Sequence, residues 1–117
     1  AINLKIVNPD ITEEEMFNSI KIASLDQTIN DLKDGLNTYV GERGVSLSGG
    51  QKQRISIART LVTKAPVLIF DDSLSAVDTE TDIKIRQALK QRAKDKTTII
   101  VTHRVSTAKD ADHIIIL

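Results

Sequence analysis

The chain has 117 residues, 40% of them hydrophobic, and its sixteen basic and sixteen acidic residues cancel to a net charge of zero. This is enough for one domain with a modest core, and no net field draws it to nucleic acid or to an anionic membrane. With no cysteine, no tryptophan, one tyrosine and two phenylalanines, the core must be aliphatic, and disulfides, thiolate metal sites and an aromatic platform for stacking bases are excluded. The lack of cysteine is compatible with a reducing cytosol. No run approaches the eighteen or so apolar residues of a membrane span, and no leader pattern suggests a signal peptide.

Residues 1–7 alternate weakly and predict an extended lead-in that turns at Asn8-Pro9. Thr12 with Glu15 three residues on is a capping-box pattern, and the acids Glu13 to Glu15 suit the positive end of a helix. Met16, Phe17, Ile20 and Ala23 supply that helix with an apolar face. A capped, solvated helix start explains the acid run better than a metal site does. A second short helix is expected to carry Leu25, Ile29 and Leu32 and to close at Asp34-Gly35. Gly41-Glu42-Arg43-Gly44, framed by glycines, is a surface loop by residue type.

Leu47-Ser48-Gly49-Gly50-Gln51 opens the stretch around which the chain is organised. Ile55, Ala58 and Val62, with Ile57 and Leu61 beside them, recur at three- and four-residue spacing and predict a helix that stops at Ala65-Pro66. Ser48 can accept a backbone N–H at its start, and Gly49 and Gly50 leave the remaining N–H groups open to an anion. Taken alone, Ser-Gly-Gly is equally a flexible turn that caps a helix.

After Pro66, Val67-Leu68-Ile69-Phe70 is a continuous apolar run that predicts a buried parallel strand covered on both faces. It ends in Asp71-Asp72, where open α/β sheets place their ligands; as bare chemistry the two acids can also cap the next turn. Thr79 and Asp82 form a capping pattern for a helix through about residue 94, with Ile85, Ala88 and Leu89 inward. Residues 97–101 form a second β-rich run that ends at Thr102-His103-Arg104, so His103 stands in line with Asp71 and both can face one ligand. A lone histidine is more often structural. His113 precedes an expected third strand over residues 114–117 and has no assigned role. No internal repeat, low-complexity tract or linker interrupts the plan.

Leu47 to Gln51, followed by Lys52-Gln53-Arg54 and Ile57-Ala58-Arg59, resembles the signature motif of ATP-binding cassette (ABC) ATPases, and the resemblance covers almost the whole chain. It implies an α/β fold of the P-loop NTPase kind. A helical subdomain over residues 1–64 ends in the signature helix, and the Walker B, D-loop and H-loop part of the RecA-like core, with its parallel strands and flanking helices, fills residues 65–117. In that family the signature groups close over the γ-phosphate of ATP held by a second subunit, a role the resemblance gives to Ser48, Gly49, Gly50 and Gln51. The apolar run ending in Asp71 resembles a Walker B motif, in which Asp71 would hold Mg²⁺ through its water shell. Ser75-Ala76-Val77-Asp78 looks like the D-loop that crosses the dimer interface, with Asp78 its most characteristic residue. Thr102-His103-Arg104 resembles the switch histidine that reaches the γ-phosphate and helps to position water. The Gly-Glu-Arg-Gly segment is similar to one that touches the intracellular helices of exporters, which makes Glu42 and Arg43 candidate coupling residues.

Asp72 departs from the family pattern. Hydrolytically competent sites usually carry Glu there to polarise the attacking water. Asp is shorter by about 1.5 Å, and misplacement on that scale can cost about a hundredfold in rate. The resemblance thus implies a catalytic pair, Asp72 and His103, that turns ATP over slowly, and a signature loop that serves the other site of an asymmetric, heterodimeric exporter of the multidrug type.

A glycine-rich loop carrying the phosphate-binding Lys is absent. Gly44 and Gly49 have its spacing, but Gly50 and Gln51 stand where Lys and Ser or Thr are required. The chain therefore reads as a piece of a larger ATPase subunit, inactive by itself. It is expected to work at the cytoplasmic face of the cell membrane with a second nucleotide-binding domain, a transmembrane domain and no nucleic acid. A competing reading, the ATPase head of a DNA-repair or chromosome-organising protein, meets the zero net charge and the lack of coiled-coil heptads. A third is a non-catalytic interaction module that retains the motifs. The transported substrate is not legible in these residues.

Overall fold

The computed structural model describes residues 2–40, 45–72, 74, 77–92 and 95–117. Glu42 and Arg43, and Ser75 and Ala76 of the D-loop-like stretch, lie outside the described residues, as does the expected helix end near residue 94. The elements run α1 (Ile2–Lys5), α2 (Glu13–Ile22), α3 (Asp26–Asn30), a 3-10 turn (Gly35–Asn37), α4 (Gly49–Val62), β1 (Val67–Asp71), α5 (Thr79–Arg92), β2 (Thr97–Val101) and α6 (Val105–Ala108). This is a mixed α/β arrangement, as the sequence predicts.

The start of the chain is helical rather than extended. Leu4 is buried among α1, α2 and α4 residues, and the Val7 and Asn8 N–H groups donate to its carbonyl at 3.3 Å. Asn8 Nδ2 donates to Val62 O at 3.1 Å, tying this turn to the end of α4. Burial of one leucine against a distant helix outweighs the weak local alternation.

Helix α2 carries the capping box: Thr12 Oγ1 accepts the Glu15 N–H and Glu15 Oε2 accepts the Thr12 N–H. Met16, Ile20 and Ala23 are buried, whereas Phe17 is half exposed, because one residue is about 100° of helix turn and carries its ring off the face that meets α4. The helix closes through Ser24, whose φ of 52° puts a non-glycine residue in the left-handed region. Leu25 N–H bonds Ile20 O and Ser24 N–H bonds Lys21 O, a Schellman closure. Helix α3 is shorter than expected and ends before Leu32.

Helix α4 joins two apolar clusters. Its Ile57 and Leu61 pack with Leu68, Phe70, Leu74, Val77, Ile85 and Leu89. Ala58 and Val62, from the adjacent stripe, pack with Leu4, Ile11, Met16, Ile20 and Leu25. The helix ends at Val62, ahead of the predicted stop, with Thr63 as its extended C-cap.

Strands β1 and β2 pair in parallel, with Ile69 opposite Ile99 and Asp71 opposite Val101. They depart from the expected two-sided burial. Leu68 and Phe70 face the core, but Ile69 is 62% exposed, and Val67, Ile99 and Val101 are exposed on the same outward face. Alternate residues of a strand point to opposite faces, and the helices cover one face only. Residues 114–117 form no strand and are exposed; among the described residues no neighbouring strand pairs with them.

Candidate functional site

The N-terminus of α4 is built by reciprocal bonds. Ser48 Oγ accepts the Gln51 N–H at 3.2 Å, and Gln51 Oε1 accepts the Ser48 N–H at 2.9 Å. The N–H groups of Gly49 and Gly50, the first two of the helix, have no carbonyl one turn earlier within it and point out of its positive end. A Cβ placed on either glycine would meet nothing within 4 Å. Both therefore front open space, and a phosphate oxygen can reach the backbone without displacing a protein atom.

In the second turn of α4, Arg54 Nη2 donates to Asp78 Oδ1 at 3.1 Å. Asp78 is also the cap of α5: its Oδ2 accepts the Thr81 N–H at 3.1 Å and its Oδ1 accepts the Thr81 hydroxyl at 2.7 Å. The expected capping pair of Thr79 and Asp82 is thus shifted by one residue. Thr79 is already helical, so its side chain cannot cap, and Asp82 instead turns back to Arg86 at 3.0 Å. The Thr81 hydroxyl, followed by the Thr81 N–H and, to a smaller extent, the Arg54 charge, holds the Asp78 carboxyl below the usual 3.8. Thr81 Oγ1 also lies 2.8 Å from Ser24 Oγ, so a continuous polar chain runs from α4 through α5 to the left-handed residue after α2.

Asp71, Asp72 and His103 gather at the carboxyl end of the strand pair. The ladder that pairs Asp71 with Val101 extends one residue, since Asp72 N–H donates to Val101 O at 3.0 Å. All three side chains are exposed. Asp72 has φ 51°, a left-handed backbone that Asp and Asn tolerate better than longer residues, so local geometry supplies its own reason for Asp here. The turn carrying His103 is held from both sides: Arg104 N–H donates to Thr102 Oγ1 at 3.0 Å, and Arg104 Nη2 reaches Val77 O at 3.5 Å.

The strand end and the helix end are separate. Ser48 and Gln51 hydrogen-bond each other and none of Asp71, Asp72 or His103. Asp71 is a hard oxygen donor of the kind Mg²⁺ prefers. No cluster of three or more protein ligands occurs among the described residues. An apolar cavity of about 230 Å³, lined by Leu25, Ile29, Leu36, Tyr39, Leu47 and Ile55, lies among the helices, next to the α4 N-terminus through Leu47 and with none of Asp71, Asp72 or His103 in its lining. Arg54 lies within the run that the sequence singled out, but its tie to Asp78 spans 24 residues; the parts of Ser24 and Thr81 carried no sequence signal.

Helices over a parallel strand pair, with acids and a histidine collected at the strands' carboxyl end, define an α/β domain of the ligand-binding type. The chain belongs to the ABC transporter family, whose model matches residues 5–75; Asp78 and His103 lie beyond that match. It is 46% identical over 108 residues to the ATP-dependent lipid A-core flippase of Francisella tularensis, covering 92% of this chain and 18% of that protein. It is 47% identical over 115 residues to the putative multidrug export ATP-binding/permease protein YgaD of Bacillus subtilis, covering 98% of this chain and 20% of that protein. Among solved structures, an ATP-bound bacterial Atm1-family ABC exporter superposes with a TM-score of 0.78 at 41% identity, over 94% of this chain and 19% of that one. The chain thus spans about a fifth of the length of the curated relatives it matches. No helix among its described residues is long and apolar enough to cross a membrane.

Proposed function

We propose that this chain is part of the ATP-binding and ATP-hydrolysing domain of an ABC exporter, one half of an asymmetric pair working at the cytoplasmic face of the membrane. The observation that carries the reading is the α4 N-terminus: a helix end capped by Ser48 and Gln51, fronted by two glycines with open space at each Cβ, in a chain 46% identical to an ATP-dependent flippase. Ser48, Gly49, Gly50 and Gln51 receive the γ-phosphate of ATP held by a second nucleotide-binding domain. Asp71 holds Mg²⁺ through water, and His103 contacts the γ-phosphate of the chain's own site. Bound Mg-ATP would supply the scissile phosphoanhydride; the chain's residues bind and orient the phosphates and position the attacking water.

In this reading residues 1–64 form a helical unit and residues 65–117 a core unit. Their junction at α4, where the two apolar clusters meet, supports that division. Asp72, one methylene shorter than Glu and set in a left-handed backbone, leaves the chain's own site slow. The test is Asp72→Glu in the whole protein paired with its partner. Steady-state ATP turnover should rise about tenfold or more at that site; an unchanged rate would sink the proposal that Asp72 limits it.

A further inference from the structure

His103 has no hydrogen bond of its own among the described residues, and its side chain is exposed. Its place is therefore set by what holds the backbone on either side. Upstream is the β2 ladder. Downstream, helix α6 is only four residues long, too short to be stable by itself. It is docked by Arg86 of α5. Arg86 Nε donates to Asp82 Oδ2 at 3.0 Å, a carboxylate one turn earlier and 3% exposed. Arg86 Nη1 donates to Ser106 O at 3.1 Å and also meets Asp110 Oδ2. Lys90 Nζ donates to Asp110 Oδ1 at 3.1 Å from the next turn of α5. Lys90 and then Arg86 hold the Asp110 carboxyl below its usual range, so it stays anionic.

We infer that Arg86 is a positioning residue for His103, clamping through Asp82, Ser106 and Asp110 the segment that follows the histidine. The inference rests on the proposed role of His103 at the γ-phosphate. Only a planar guanidinium with several fixed donors can bridge a carboxylate on its own helix to a carbonyl of α6 and a second carboxylate in the turn just beyond it; an ammonium is a point charge and keeps at most part of the set. Arg86→Ala would strand the buried Asp82 charge and endanger folding, so the variants are Arg86→Lys and Asp110→Asn.

The experiment uses the whole protein carrying Asp72→Glu, so that the chain's own site contributes to turnover. Hydrogen exchange is read on peptides covering residues 102–110, with peptides from α2 and β1 as the reference. Arg86→Lys should speed exchange about tenfold in the 102–110 segment and leave the reference unchanged, because local opening is governed by local contacts. Turnover should fall about tenfold, less than the roughly hundredfold that a 1 Å misplacement can cost, with little change in KM. In a His103→Ala background the same substitution should have no further effect. Equal losses in both backgrounds, or faster exchange everywhere, would show a general structural role and overturn the inference. If His103→Ala alone leaves turnover unchanged, the proposed role of His103 fails and the inference falls with it.

Discussion

The carboxylate of Asp78 is shared between two helices: it accepts Arg54 of α4 at 3.1 Å while capping the first turn of α5 through Thr81. Helices α4 and α5 are linked through this one side chain. The pair with Arg54 is exposed and worth little in itself, about 0–1 kcal/mol, whereas loss of a cap costs typically about 1 kcal/mol. Asp78→Ala should therefore destabilise the chain by about 1–2 kcal/mol and Arg54→Ala by clearly less, read from urea midpoints at equal m-value. Equal losses would contradict the cap assignment.

The same carboxylate sets an acid dependence. Its folded value lies below 3.8, chiefly through the Thr81 hydroxyl, so its contribution is fully present above the unfolded value and fades as pH falls through the lower folded one. The stability gap between the native chain and Asp78→Asn should be constant from about pH 7 to about pH 5 and close below about pH 4. A gap that closes near neutrality would assign the effect to another group.

Stability and activity should part at Gly50. Space at its Cβ is open and its φ is not left-handed, so Gly50→Ala should stabilise α4 by up to about 1 kcal/mol. In the proposed role the added methyl meets the incoming phosphate, and turnover by the whole protein should drop at the partner's site. Melting temperature and turnover measured on the same variant test this; a rise in both would remove the phosphate-facing role.

The two faces of β1 should respond differently in this chain. Phe70→Ala opens the core beside Ile57 and Ile85 and should cost about 3–5 kcal/mol. Ile69→Ser, on the outward face, should stay within about 0.5 kcal/mol. Comparable losses by thermal unfolding would mean that the outward face is covered after all.

Features that depend on spacing within one helical turn were legible from the sequence. Thr12 caps with Glu15 three residues on, Ser48 stands as the cap of α4, and the β1 and β2 runs carry their own apolar pattern; the return bond from Gln51 to Ser48 came only with the structure. Features decided by distant partners were not. Leu4 becomes helical because α4 lies against it, and the Val67 and Ile69 face stays open because the helices cover only the other side. The cap of α5 sits on Asp78 rather than Thr79, since a one-residue shift leaves a similar pattern of small polar residues and acids. Arg86 and Asp110 are separated by 24 residues, and no local pattern joins charges at that distance. From the sequence, Asp72 is a matter of reach; its left-handed backbone adds a conformational reason for the same residue.

The most direct measurement is calorimetric titration of the 117-residue chain with Mg-ATP. If Asp71, Asp72 and His103 make only part of one site, and Ser48 to Gln51 receive a nucleotide held by another subunit, no binding heat should appear at micromolar concentrations. Micromolar binding, about −8 kcal/mol, would mean that these residues hold a phosphate cradle of their own and would contradict the shared-site assignment.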